Sequence, residues 1–331
     1  MKRETINFTM RKFMLLSIGT MLIASSCSRR DDYPNFDDKE VVEEVVDVIP
    51  PDNTISEITQ KIIDQTSLIA KFQIDSTTEI AAGVQYTHMR FLNALDQQIS
   101  MTILEIDRAQ SQVSSIAMSP FNDVLYSTQF LADMAKDNEI SPPLRIIAAI
   151  NGDSFTTGIP TGSYIRYGRQ IKVTTTTATV NTRPFFAVKK DGTMFIGNRV
   201  DATVPLDPYD LNDISHLVSG SNWLLYRGTS VENAAVALSA RTAIGLSPTK
   251  LFSIVVDGDN PKFSVGLKLN DVRDVMKAIG AVDAFQLNAG QTSALVVRHQ
   301  SNLRPITWEV KNFPTTPTGL ATATGIGFLV K

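Results

Sequence analysis

The sequence predicts an α+β fold: a mixed β-sheet domain with packed helices and one β-α-β crossover near the C-terminus. Three observations carry that prediction. From about Ile80 onward, short apolar runs alternate with turn residues, the texture of a sheet-rich domain. Only a few segments, 53–71, 123–136 and 270–280, keep apolar residues at helical spacing. The last of these lies between two strand-like runs, 251–256 and 284–287, in the order strand, helix, strand. Of the 331 residues, 43% are hydrophobic and 20% charged, an ordinary balance for a chain able to bury a sizeable core.

Residues 1–27 read as a lipoprotein signal peptide. Lys2, Arg3, Arg11 and Lys12 precede an apolar run over 13–24, followed by Ser25, Ser26 and Cys27. That run is short for a bilayer span. Cys27 is the single cysteine and stands where a relaxed bacterial lipobox places its own, so it is the candidate lipidation site. Acylation there would anchor the chain without making it span, and the expected location is the bacterial cell envelope, at the outer membrane. Residues 28–52 read as an acidic tether, because eight acidic residues and one lysine stand between Asp31 and Asp47 and bury little. Residues 53–78 read as a helical linker, with Thr54 and Glu57 as a capping box and Ile55, Ile58, Ile62 and Ile69 as its stripe.

Residues 79–331 form the expected functional domain. Within it, 101–106 and 144–150 read as strands, and 172–180 as a threonine-rich strand. Residues 123–136 read as a helix with Val124, Leu125, Phe130, Leu131 and Met134 on its apolar side. Asp191-Gly192, between the runs 185–190 and 193–196, is a type I′ hairpin signal. The runs 241–246 and 251–256 pair across Ser247-Pro248-Thr249-Lys250, which sets Arg241 opposite Val256 and predicts that its guanidinium meets the Asp257 carboxylate. Asn270 is expected to cap the following helix and Gly280 to end it. A crossover that makes 251–256 and 284–287 parallel would bring Asp257 and Asn288 to one rim, where open sheets of this kind bind ligands.

The stretches Ile150-Asn151-Gly152-Asp153-Ser154-Phe155, Arg241-Thr242-Ala243-Ile244-Gly245, Val256-Asp257-Gly258 and Leu287-Asn288-Ala289-Gly290-Gln291-Thr292-Ser293 occur in that order. Together with Val265-Gly266-Leu267 and Gly280-Ala281-Val282-Asp283-Ala284 they resemble the motifs of the phosphodiester glycosidase domain family, over about residues 79–331. The resemblance implies a hydrolase that removes a sugar from a glycosyl phosphodiester, releasing free sugar and a phosphomonoester, with a glycan or sugar phosphodiester as its partner. The family usually has aspartate where Asn288 stands and histidine-proline where Ser239-Ala240 stand. Its closing arginine has no counterpart between Val310 and Lys331. A lipoprotein that binds phosphate-bearing glycans without turnover is therefore the alternative.

Arg241 is the expected phosphate ligand, since a planar, permanently charged fork matches two phosphate oxygens. Asp153 and Asp257 are the candidate acid/base pair that glycoside cleavage requires. Asn151, Thr242, Asn288, Gly290, Thr292 and Ser293 are the candidate substrate-binding residues, offering amides, hydroxyls and backbone N–H groups. Gly152, Gly245 and Gly258 read as backbone requirements. His88, His216 and His299 are scattered without metal-ligand spacing, so neither a metal nor a cofactor is expected. No strongly basic segment follows the signal, which argues against nucleic acid as a partner.

Overall fold

The computed structural model describes residues 55–110, 112–139, 145–173, 183–198, 210–301, 304–314 and 319–330. The signal peptide, Cys27, the tether and most of the threonine-rich run 172–180 lie outside these described residues. The chain enters through helix α1 (Glu57–Gln65), then strands β1 (Lys71–Ala81), β2 (Val84–Leu92), β3 (Gln98–Asp107) and β4 (Val113–Met118). Helix α2 (Leu131–Asp137) leads to β5 (Arg145–Asn151), the short hairpin β6 (Phe155–Thr156) and β7 (Ile159–Pro160), then β8 (Tyr164–Arg166) and β9 (Arg169–Lys172). After β10 (Pro184–Lys189) and β11 (Met194–Asn198) come β12 (Ile214–Ser219), β13 (Trp223–Tyr226) and β14 (Thr229–Ser230). The last stretch holds β15 (Arg241–Leu246), β16 (Lys250–Val256), helix α3 (Leu269–Ala278), β17 (Asp283–Gln286), β18 (Leu295–Ser301), β19 (Arg304–Val310) and β20 (Gly325–Val330).

These strands build three main sheets. An eight-stranded sheet runs β1-β2-β3-β16-β15-β17-β13-β14, and two five-stranded sheets run β11-β10-β12-β8-β9 and β19-β18-β5-β20-β4. One face of the large sheet packs on α1 and α3, with Ile62, Phe91, Ile254, Val256, Val272 and Met276 in that layer. Its other face meets the smaller sheets through Leu104, Ile244, Val255, Ile150, Phe186 and Phe328. Helix α2 covers the outer side of the β5 sheet with Leu131 and Met134. The period-2 alternation of side chains along a strand divides the apolar residues of β15 and β16 between these two layers, and both strands are buried nearly throughout.

The β15–β16 hairpin pairs Arg241 with Val256 and turns at Pro248-Thr249, as the sequence predicts. The expected contact between Arg241 and Asp257 does not form, and the same alternation explains why. Arg241 shares the helix-side face with Ala243 and Val256, whereas Asp257 follows Val255 onto the opposite face. Strands β16 and β17 each lie antiparallel to β15, which stands between them, and α3 joins the two.

Several elements differ from their sequence reading. Helix α1 is capped by Ser56, whose Oγ accepts from the Thr59 amide, and residues 71–81 are already the edge strand β1. Ile58 and Ile62 are buried in the core, so packing begins before residue 79. The helix expected over 123–136 starts only at Leu131. Ser127 and Thr128 form helix poorly, and Gln129 instead exchanges backbone hydrogen bonds with Thr322 (3.1 and 2.9 Å). At the β10–β11 turn only Gly192 has positive φ, and its N–H donates to the Lys189 carbonyl. That makes a three-residue loop with a left-handed glycine instead of a type I′ turn, which needs positive φ at two residues. In α3 the first turn is closed by the Asp271 carboxylate accepting from the Lys268 amide (3.1 Å). Asn270 bonds the 232–233 segment instead, accepting from the Asn233 amide and donating to Glu232. Gly280, at φ +96°, follows the end of the helix as expected.

Candidate functional site

The ends of β5, β15 and β17 meet at one rim, and Asn151 ties them. Its side chain is wholly buried. The Asn151 Oδ1 accepts from Thr242 Oγ1 (2.8 Å) and from the Ala294 amide (3.0 Å), and Nδ2 donates to the Asn288 carbonyl (2.9 Å). Backbone bonds continue the seam: the Asn288 amide donates to the Gly152 carbonyl (2.8 Å) and the Leu287 amide to the Thr242 carbonyl (2.9 Å). An Asn with all three partners inside the protein is a structural clasp, and it sets the position of its neighbours.

Arg241 stands at the first position of β15 and is 7% exposed. Its Nε donates to the Leu267 carbonyl (3.1 Å), Nη1 to Gln286 Oε1 (3.0 Å) and Nη2 to the Ala237 carbonyl (2.8 Å). All three acceptors are neutral, and no carboxylate among the described residues forms an ion pair with it. A guanidinium carries five N–H donors, so two remain for a ligand. Burial lowers its pKa, and the exposed Asp259 opposes that effect. Gln286 relays onward, donating from Nε2 to Ser221 Oγ (3.0 Å). Just before Ser221, in the turn that ends β12, the Gly220 amide donates to the Pro184 carbonyl at the start of β10 (2.8 Å).

Arg183, next to Pro184, forms an ion pair with the buried Asp153. Asp153 Oδ2 also accepts from the Gly162 amide (2.6 Å), and Ser154 Oγ donates to Oδ1 (3.3 Å). Burial pushes the Asp153 carboxyl above the usual carboxylate range, against the opposing pull of Arg183 and these hydrogen bonds. The Lys172 ammonium bonds the carbonyls of Pro160 and Thr161. Burial lowers its pKa, and Asp153 acts to raise it. Arg241, Gln286 and Ser221 thus form one hydrogen-bonded row, and Arg183 pairs with Asp153 beside Pro184.

Asn288 is partly exposed; its Oδ1 accepts from the Ala289 amide (3.1 Å), and Nδ2 makes no bond among the described residues. Gly290, at φ +71°, opens a single turn of tight helix, and a Cβ there would meet nothing within 4 Å. Its amide donates to the Ala240 carbonyl (2.9 Å). Thr292 Oγ1 donates to the Ala289 carbonyl, and Ser293 Oγ is buried without a partner among the described residues.

Asp257 is 2% exposed and sits on the other side of the sheet from Arg241. Its Oδ1 accepts from Asn312 Nδ2 (3.0 Å) and the Phe313 amide (2.7 Å), and Oδ2 from Ser100 Oγ (2.7 Å). Burial raises its pKa, and these same bonds oppose the rise. Asn312 also donates to the Ser293 carbonyl, so Asp257 supports the 288–293 loop from behind. Gly258 is required by close approach: a Cβ there would stand 2.1 Å from the Ala240 amide nitrogen.

Sequence reasoning missed Arg183, Gln286, Ser221 and Lys172. Gln286 carried a signal, a polar residue within a buried strand run, but Arg183 precedes a strand far from every recognised motif. Of the histidines, His88 bonds Ser100, His216 lies under Tyr167 and His299 is exposed. No group of three His, Cys, Asp or Glu among the described residues is arranged to hold a metal, and no helix among them is long and apolar enough to cross a membrane.

The chain belongs to the phosphodiester glycosidase family, whose model matches residues 145–329. A similar solved structure is the zebrafish N-acetylglucosamine-1-phosphodiester alpha-N-acetylglucosaminidase catalytic domain, auto-inhibited by its pro-peptide. It is 19% identical with a TM-score of 0.53, over 77% of this chain and 87% of that one. A hypothetical protein from Synechocystis is similar at 12% identity and a TM-score of 0.54, covering 78% of this chain and 64% of that one. These likenesses show the fold. No curated protein sequence matches.

Proposed function

We propose that this protein hydrolyses a sugar from a glycosyl phosphodiester, acting as a lipoprotein of the bacterial cell envelope anchored through Cys27. The observation that carries the reading is Arg241, a buried cation held by neutral acceptors with donors to spare. A phosphate would supply the countercharge that the protein withholds. Arg183 and Lys172 add positive charge beside Asp153. The spare amide of Asn288 and the open Gly290 turn fit sugar hydroxyls, with Asn151 and Thr242 holding that wall in place.

Cleavage adds water to the anomeric carbon and breaks its bond to the phosphate oxygen, leaving a phosphomonoester and a free reducing sugar. A phosphate departs readily, so proton donation to it matters less than handling the proton of the attacking water. Asp153, next to the partly exposed Ser154, is the carboxyl assigned to that proton. Asp257, whose oxygens are taken by three internal donors, is assigned the support of the loop. The second reading, binding without turnover, draws on the amide at Asn288 and on the tight hold of Arg183 on Asp153.

The test uses the full chain with Cys27→Ser and a panel of sugar-1-phosphodiesters, following reducing sugar. Release that is abolished by Asp153→Asn, with binding retained, supports hydrolysis. Binding without release in the parent protein selects the second reading.

A further inference from the structure

The loop 119–130 is built in an unusual way. Phe121 and Asn122 both adopt left-handed backbone (φ 55° and 56°), a conformation that costs a non-glycine residue energy and persists only where its surroundings impose it. A buried polar set imposes it. Arg166, 6% exposed, bonds Asn122 through its side-chain and backbone oxygens, and also bonds Asn138. Gln129 Oε1 accepts from the Phe121 amide (2.6 Å), and Asn138 clamps Ser119 on both its amide and its carbonyl. The loop so fixed presents large apolar side chains to solvent: Phe121 is 60% exposed, Leu125 71%, Tyr126 45% and Phe130 41%. Fixing a loop with buried hydrogen bonds in order to expose hydrophobic groups makes physical sense when something apolar covers them.

The loop adjoins the candidate site. Gly158, at the tip of the β6–β7 hairpin, packs within about 3 Å of the Ser127 backbone, measured from where a Cβ would stand. Ile159 on that hairpin is another exposed apolar residue. The hairpin springs directly from Asp153-Ser154, and its arms rise only about 10 Å. Tyr126 Oη donates to the Ile171 carbonyl (3.2 Å), one residue from Lys172. An apolar surface and the Asp153–Arg183–Lys172 cluster therefore stand side by side, the two halves of a site for an anionic amphiphile.

Resting on the proposed function, we propose that the aglycone beyond the phosphate is a lipid, and that the loop carrying Phe121, Leu125 and Tyr126 is its subsite. The ligand class is a sugar phosphodiester of a long-chain alcohol. The charged cluster argues for a phosphate-bearing chain over an uncharged apolar partner, which would gain nothing from Arg183 and Lys172.

The test is calorimetric titration of the full chain with Cys27→Ser by ethyl phosphate and by dodecyl phosphate below its micelle concentration. The proposal expects dodecyl phosphate to bind roughly 30-fold tighter, what burying a quarter of the ten added methylenes gives. Phe121→Ser with Leu125→Ser should remove about ten-fold of that gain and leave ethyl phosphate unchanged, while Arg241→Ala weakens both ligands. Equal affinities, or a gain untouched by the double variant, overturn the lipid subsite while leaving the phosphate site standing. Ethyl phosphate binding indifferent to Arg241→Ala overturns the phosphate reading itself. Dodecyl phosphate binding that needs Phe121 and Leu125 but ignores Arg241 overturns the link between loop and site. Pelleting with phosphatidylcholine vesicles through the loop, without a preference for the dodecyl monomer, makes it a membrane-docking surface and also overturns the proposal.

Discussion

Replacing Asn151 with leucine keeps the volume of the side chain and removes every polar atom from the clasp. Two buried groups, the Thr242 hydroxyl and the Ala294 amide, and the part-buried Asn288 carbonyl then lose their partner. An unsatisfied buried group costs about 1–3 kcal/mol, and the hydroxyl can rotate to relieve part of its share. The expected loss is about 3–5 kcal/mol, a large fraction of the roughly 5–15 kcal/mol that a folded domain possesses. Urea unfolding followed by tryptophan fluorescence measures it, as a midpoint lower by at least about 1 M with an unchanged slope. Thr242→Val supplies a double-mutant cycle. Once the hydroxyl is gone, Asn151→Leu strands one group fewer, so the two losses should fall short of additivity by about 1 kcal/mol. A loss below about 1 kcal/mol for Asn151→Leu, or strict additivity with Thr242→Val, refutes the clasp.

Three further outcomes follow from the same geometry. Asp257→Ala strands the Asn312 side chain and the Phe313 amide and should cost about 3 kcal/mol, whereas Asp257→Asn, which can still accept from both, should cost less than half as much in the same unfolding assay. Gly258→Ala drives a methyl into the Ala240 backbone and should lower stability by at least about 2 kcal/mol, a shift of several degrees in Tm. His216 is pushed down to about 4, by burial first and Arg166 second. Its folded pKa is depressed, so its contribution is present above the unfolded value near 6.5 and is lost as pH falls through about 4. His216→Gln should flatten that acid limb by an amount on the order of 3 kcal/mol, seen as stability plotted between pH 7 and 4.

Much of the framework was readable from residues alone because it rests on local rules. The β15–β16 register followed from a Ser-Pro-Thr-Lys turn between two six-residue apolar runs, and Gly280 marked the end of α3. The misreadings came where long-range partners decide. Gln129 pairs with Thr322 almost two hundred residues away, and no local signal announces that the segment before Leu131 will be extended. Asp257 and Arg241 were correctly placed at one rim, but a register of one residue sends them to opposite faces, so their pairing failed. Arg183 reaches Asp153 only through tertiary structure, because β10 starts beside the turn after β12. The clasp residues Asn151, Thr242 and Asn288 were named from the family resemblance, and the structure shows how their side chains and backbone join.

In the proposed function, Arg241 bonds the phosphate of the substrate. This is tested most directly by comparing kcat/KM for a sugar-1-phosphodiester with that for an uncharged glycoside of the same sugar, in the parent protein and in Arg241→Ala. Losing a charge-assisted hydrogen bond costs about 1.5–3 kcal/mol, so the variant should lose roughly 10- to 150-fold on the phosphodiester and little on the uncharged glycoside. Arg241→Lys should recover only part of that loss, because an ammonium lacks the planar fork. An equal loss on both substrates would make Arg241 a structural residue of the rim and not a phosphate ligand.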